Sequence, residues 1–331
     1  MSSRKTNLAW NTIKVLTAIA LVGFIYSKTS IPDIIELFRG ISLTWLAVSF
    51  VLFFLMTMMK AVQYYVLSGK QAPYRRVLSI VVVQNVITNF IATGAGIASY
   101  LTMFTVDEGV RLRRAAATFI IAKIGDLVIV WFMLLVSSLF IWNGIPVLKP
   151  ATLVILTVIL LAIGLFIALV ILRQRFVEAI RALAERLRLG RFSFTQRSLE
   201  TLQFLAGQSS NMVVHLLQAA TACSLVYMVL TMAWVYASLR TFLMIIPTSV
   251  LLFVNSWIQL ISWLPIQVFG GLGVAETSQV YLYGLFGVPA VQMATVSVGL
   301  RASLYLFNLA SLLYIPLNTF LRRRESPLQP S

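Results

Sequence analysis

Four ionisable side chains lie where an apolar chain has least reason to carry them. Arg301, in "MATVSVGLRASLYLF", has ten uncharged residues on either side, too many for its side chain to extend to an aqueous interface. Burying it costs roughly 2.5–3.5 kcal/mol by insertion scales, so something must pair with it. Glu276, the lone carboxylate of "FGGLGVAETSQVYLYGLFGVP", is the available partner. Two roles are open to the pair: a salt bridge tying a broken segment to the last helix, or a surface facing an amphipathic substrate, with a phosphate on the arginine and an amine on the glutamate. Lys123 and Asp126, in "FIIAKIGDLVIVWF", are three apart, so they share a helix face and can neutralise one another. Amides recur nearby at helical spacing: Gln84, Asn85 and Asn89 in one half, Asn255 and Gln259 in the other. They either line a common polar cavity or bond a neighbouring helix. Lys60, in "MTMMKAVQYY", lies close enough to its helix end to snorkel.

This set suits the binding of a phosphate-bearing group rather than covalent chemistry. The one histidine, His215, has no carboxylate or thiol beside it in sequence and reads as structural, and Cys223 is the one cysteine. No metal, cofactor or disulfide is expected. The chain has no HExxH, no GxxxxGK[ST] and no Ser-His-Asp set that spacing supports, and "GGLGV" lacks a strand–turn–helix setting. An enzyme is therefore not expected.

The elements that must position these residues follow from composition. The 331 residues are 60% apolar and 11% charged, with a mean hydropathy of +0.92, which excludes a soluble domain. Runs of about 20 apolar residues span a bilayer as helices, so the fold class is an all-α polytopic membrane protein. The net charge of +16 sits in loops beside apolar spans, which favours anionic lipid and the positive-inside rule over nucleic acid. The richest stretch, Arg173 to Arg197, reads as a basic amphipathic linker over about 173–210 on the cytoplasmic headgroups.

Apolar segments fall at about 10–27, 43–67, 77–104, 115–140, 150–172, 211–239, 242–287 and 288–321. Were all eight to cross, the loop holding Arg111, Arg113 and Arg114 would face outside, against the positive-inside rule. The conflict disappears if two segments turn back. Gly94 and Gly96 would turn the third segment between half-helices 77–92 and 97–104, and Pro265 with Gly270, Gly271 and Gly273 would turn the seventh. The predicted architecture is six full crossings plus two re-entrant hairpins, in two inverted repeats of about 1–148 and 149–321 within one transmembrane domain. The first helix is retained, since Lys14 interrupts any signal peptide. Both termini, including the tail 322–331, are then cytoplasmic. Supporting the repeat, Gly109-Val110 and Gly287-Val288 are each followed, 14 residues after the glycine, by Lys123 and Arg301. Broken helices in inverted repeats are the usual build of secondary transporters.

"FGGLGVAETSQVYLYGLFGVPAVQMATVSVGLRASL" closely resembles the second signature of the lysylphosphatidylglycerol synthase transmembrane, or flippase-like, family. Its matching residues here are Gly270, Gly271, Gly273, Glu276, Gly287 and Arg301. "NVITNFIATGAGIASYLTMF" with "AAATFIIAKIGD" is similar to the first signature, through Asn89, Gly94, Gly96, Lys123 and Asp126; the family usually has an acidic residue and arginine where this chain has Ala122 and Lys123. The 331 residues hold nothing resembling the aminoacyltransferase that some members append, so the likeness is to stand-alone members. The resemblance implies a prokaryotic cytoplasmic-membrane protein that moves lipid between leaflets. Its partners would be anionic or phosphate-bearing lipids and a membrane glycosyltransferase or lipid-modifying enzyme. A lipid-binding accessory protein that transports nothing is the alternative.

Overall fold

A lipid environment offers no partner to a backbone N–H or C=O, so an apolar chain satisfies these groups within helices. In the computed structural model, residues 31–144, 146–187, 193–263 and 269–316 are described. Among them no strand occurs. Five helices are long and apolar enough to cross a membrane: α2 (Leu43–Leu67), α5 (Leu112–Ile141), α6 (Lys149–Leu172), α9 (Ser210–Thr241) and α12 (Ala290–Leu312). The predicted first segment, with Arg4, Lys5 and Lys14, and the tail 322–331 lie outside the described residues, as does Pro265.

Between the long helices lie shorter ones. α1 (Ile31–Arg39) precedes α2, and α3 (Tyr74–Phe90) and α4 (Thr93–Thr102) separate α2 from α5. α7 (Gln174–Arg186) and α8 (Ser193–Gly207) follow α6, while α10 (Thr248–Ser262) and α11 (Val274–Gly284) separate α9 from α12. The order long helix, two half-helices, long helix therefore occurs twice, as α2–α5 and α9–α12. Pro73 and Pro247 precede the two first half-helices. Gly109 (φ 65°) and Gly287 (φ 84°) turn the chain into the two last helices.

Hydrogen bonds fix how the units are related. Ser42 N–H donates to the Thr241 carbonyl at 2.9 Å, while Gln63 Nε2 donates to the Ala220 carbonyl at 3.1 Å and to Ser224 Oγ at 2.8 Å. As numbering rises along α2 it falls along α9, so the two corresponding helices are antiparallel neighbours. Each unit's last helix also packs on the other unit's first half-helix, α5 on α10 and α12 on α3.

Both half-helix pairs return to the end they left. Arg76, at the start of α3, pairs with Glu108, just beyond α4, at 3.1 Å. α3 and α4 pack against one another because Gly96 lies against Thr88; a Cβ there would overlap the Thr88 hydroxyl. The turn itself falls at Ile91–Ala92, earlier than the sequence suggested. Gly94 and Gly96 are inside α4, so they do not form the turn: extended Ala92 (φ −171°) needs no glycine, and Gly96 is there for close approach. In the second pair the expected glycines do turn the chain, with φ of 65°, 80° and 84° at Gly270, Gly271 and Gly273.

Two apolar cores follow from this arrangement, one around each half-helix pair. One joins Val77, Val81, Tyr100 and Phe104 to the start of α5. The other joins Phe253, Val254 and Tyr283 to the far ends of α5 and α9.

Charge separates the two ends. Lys70, Arg75, Arg76, Arg111, Arg113, Arg114 and Arg173 sit at the end where α2 and α6 finish and α3 and α5 begin. That end is assembled by Arg76–Glu108, by Arg113–Glu200 at 3.8 Å and by Tyr314 Oη donating to the Arg75 carbonyl at 3.4 Å. The basic linker is two helices there, α7 and α8, with Val177 and Ala184 buried and Arg175, Arg181 and Arg186 exposed. The opposite end carries Arg39, Lys149 and Arg240 with Asp33 and Glu36.

Small residues set a close contact between α5 and α9. A Cβ on Gly125 of α5 would lie 2.9 Å from the Ala220 carbonyl carbon of α9, and small residues are what let membrane helices approach so far. Gly125→Leu is expected to destabilise the fold by about 1–3 kcal/mol, the range for overpacking. Thermal unfolding in detergent reads this, and an unchanged midpoint would contradict the packing.

Candidate functional site

Lys123 and Arg301 occupy equivalent places, each eleven residues past the first residue of its helix. Because α5 and α12 start at opposite ends, each cation lies roughly 16 Å of helix from its own end. Two charged centres therefore form at depth, one per unit.

At the first centre two ammonium groups share one carboxylate. Asp126, 4% exposed, accepts from Lys60 Nζ at 2.8 and 2.9 Å and from Ser224 Oγ at 2.8 Å. Lys123 Nζ stands farther off, at 3.4 Å. The local Lys123–Asp126 pair expected from spacing thus exists, but the short bonds belong to Lys60. Snorkelling of Lys60 is overturned, because its side chain turns inward to a buried carboxylate across the α2–α5 contact and is 12% exposed. Lys123 is the more open cation, at 33%, with its ammonium 4.7 Å from the Trp263 ring centroid. Asp126 does not border the cavity described below; Lys60 does.

At the second centre the salt bridge is present and built into a turn. Arg301 Nε donates to Glu276 Oε1 at 2.5 Å, Nη1 to the Gly270 carbonyl at 2.9 Å and Nη2 to the Gly271 carbonyl at 3.4 Å. Glu276 Oε2 in turn accepts the Gly273 N–H at 2.7 Å, capping α11. An acidic group in a first helical turn also suits the helix dipole. The guanidinium therefore holds the glycine turn in shape, and the turn meets the tip of the other half-helix pair: Gly270 N–H donates to the Ile91 carbonyl at 3.2 Å.

Between the two tips and the long helices lies a cavity of about 550 Å3, within the range of small-ligand sites. Lys123, Arg301, Glu276, Asn85, Asn89 and Asn255 all border it, together with Lys60. Gln259, one turn from Asn255, is half-buried on α10 and does not line it. The amides are partly spent within the protein: Asn89 Nδ2 donates to the Asn85 carbonyl at 2.9 Å and to Asn308 Oδ1 at 3.4 Å. Asn85 Nδ2 donates to Thr57 Oγ1 at 3.4 Å, and Asn255 Nδ2 reaches the Met232 thioether at 3.4 Å. His215 is exposed on α9 rather than part of a core, and among the described residues no His, Cys, Asp or Glu cluster could hold a metal.

Lys60, Trp263 and Gln279 are among the cavity's lining residues that the sequence did not single out. For Lys60 a signal was present, since Thr57, Lys60, Gln63 and Tyr64 recur at spacings of three and four and so make one polar face on α2.

The family model for the lysylphosphatidylglycerol synthase transmembrane region matches residues 11–311. The chain belongs to that family. No curated protein and no solved structure matched it. Membership of the lysylphosphatidylglycerol synthase transmembrane-region family, with five apolar helices of spanning length, makes this an integral membrane protein with a membrane-lipid-related role.

Proposed function

We propose that this chain moves a phosphate-bearing lipid head group between leaflets through the cavity between its two half-helix pairs, while the acyl chains stay in the bilayer. In this reading the pairs are re-entrant hairpins that enter from opposite faces. The cation-rich end faces the cytoplasm, as the positive-inside rule requires. The observation that carries the reading is the meeting of the two hairpin tips beside one cavity with a charged centre on either side. Irregular backbone at membrane depth is tolerated where it lines a wet or polar cavity, and broken helices of opposed repeats commonly frame a transported group.

Lys123 binds the phosphate, being the cation least committed to the protein. Arg301 borders the same space but spends three of its five N–H groups on hairpin two. Its first duty is to shape the turn. No nucleotide-binding motif occurs in the 331 residues, so movement is downhill or gradient-driven unless a partner supplies energy. The protein makes and breaks no covalent bond.

Purified protein in vesicles containing fluorescent anionic phospholipid should accelerate leaflet exchange, and Lys123→Gln should slow it at least tenfold while the chain stays folded. Exchange unaffected by Lys123→Gln would remove the lysine from the path. Absence of exchange with the wild-type chain, with or without imposed proton or sodium gradients, would leave a lipid-binding accessory protein.

A further inference from the structure

We infer that the cavity selects a head group carrying a single negative charge and no amine: a phosphodiester whose remaining polar groups are hydroxyls or similarly uncharged. This rests on the reading of the cavity as a lipid path and specifies what travels along it. Charge decides the matter. Lys60, Lys123 and Arg301 bring three positive charges to the site, and Asp126 and Glu276 bring two negative ones, which leaves one positive charge uncompensated among the described residues.

A phosphodiester cancels that charge. A phosphomonoester dianion would overshoot it, and uncompensated charge is costly at this depth. An aminoacylated phosphodiester would bring its own ammonium into a site that has no carboxylate to offer. Asp126 lies behind Lys60 and already accepts from Lys60, Lys123 and Ser224. Both oxygens of Glu276, 6% exposed, are taken by Arg301 and the Gly273 N–H. The two aromatic faces beside Lys123, those of Trp263 and Phe119, already receive the lysine's own ammonium.

Beside these charges the cavity wall offers neutral, bifunctional side chains. Gln279 of α11 borders the cavity half-buried, and its side chain makes no hydrogen bond among the described residues. Asn255 has only a thioether as acceptor for its amide, a weak one. An amide both donates and accepts, as a hydroxyl does, so these two side chains suit a glycerol, polyol or sugar moiety attached to the phosphate.

The test measures binding and exchange separately, with the full chain in bilayer nanodiscs and in vesicles. Phosphatidylglycerol is expected to bind at least tenfold tighter than lysyl-phosphatidylglycerol or phosphatidic acid, read by intrinsic tryptophan fluorescence, and to exchange faster. Gln279→Glu, which adds a carboxylate to the cavity, is expected to shift the preference towards the lysylated lipid by tenfold or more. Lysyl-phosphatidylglycerol binding as tightly as phosphatidylglycerol to the wild-type chain would overturn the inference, with exchange still measurable and the translocation reading intact. Preserved phosphatidylglycerol selectivity without exchange of any lipid would do the reverse. Soluble glycerophosphoglycerol is the control for the source of the ligand; binding equal to that of the lipid would overturn the lipid head group as what the site is built for.

Discussion

Arg301→Ala is expected to cost the folded chain about 3–5 kcal/mol, the range for removing one partner of a buried ion pair. The loss arises on the other side of the bond. Glu276 is buried at 6% exposure, and without the guanidinium its Oε1 keeps no positive partner. The Gly270 and Gly271 carbonyls lose their donors in the same step. The comparison that isolates the cause is a double variant, Arg301→Met with Glu276→Leu. Replacing both members of a buried pair with apolar residues is often nearly neutral, so the double variant should unfold later than Arg301→Ala alone. Denaturation in detergent reads both. A single variant as stable as the wild type would mean that the pair is not buried in the way described.

Gly270→Ala should be nearly as damaging, for a steric reason. Gly270 has φ 65°, and a Cβ would overlap the backbone carbonyl oxygen of Asn89, which cannot move as a side-chain tip could. The left-handed conformation costs an L-residue roughly 1–2 kcal/mol, and forced separation of the packed tips adds about 1–3 kcal/mol more. The hairpin contact from Gly270 N–H to the Ile91 carbonyl is therefore expected to break. Hydrogen exchange at the amide of residue 270 should rise with the substitution, while the amides of the α2–α9 contact stay protected. Unchanged protection at residue 270 would contradict the tip-to-tip geometry.

Much of this arrangement could be read from the sequence, because membrane burial makes charge and glycine informative. The five long apolar helices, the doubled Gly-Val followed by a cation and the positive-φ glycines at 270, 271 and 273 were all legible, and the pairing of Glu276 with Arg301 followed from the difficulty of leaving either alone. Two misreadings share one physical origin. Lys60 looked like an interfacial lysine because sequence gives distance from a helix end but not which neighbour faces it; Asp126, 66 residues away, decides the matter. Gly94 and Gly96 looked like a turn because glycine serves two purposes. Sequence does not separate freedom of φ from absence of a Cβ, and at Gly96 the second applies. Gln259 and Asn255 differ by a single turn of α10, yet only Asn255 faces the cavity, which depends on the rotation of that helix against α5.

The central claim is that a head group passes through the cavity between the hairpins, and it is tested most directly by closing that space and reopening it. In a Cys223→Ser background, Leu304→Cys places one thiol at an apolar cavity-lining position that supplies no head-group contact. Complete modification with a bulky methanethiosulfonate reagent, verified by mass, should stop leaflet exchange of phosphatidylglycerol in vesicles, and reduction of the mixed disulfide should restore it. Exchange that continues undiminished with the cavity thiol fully modified would contradict the account.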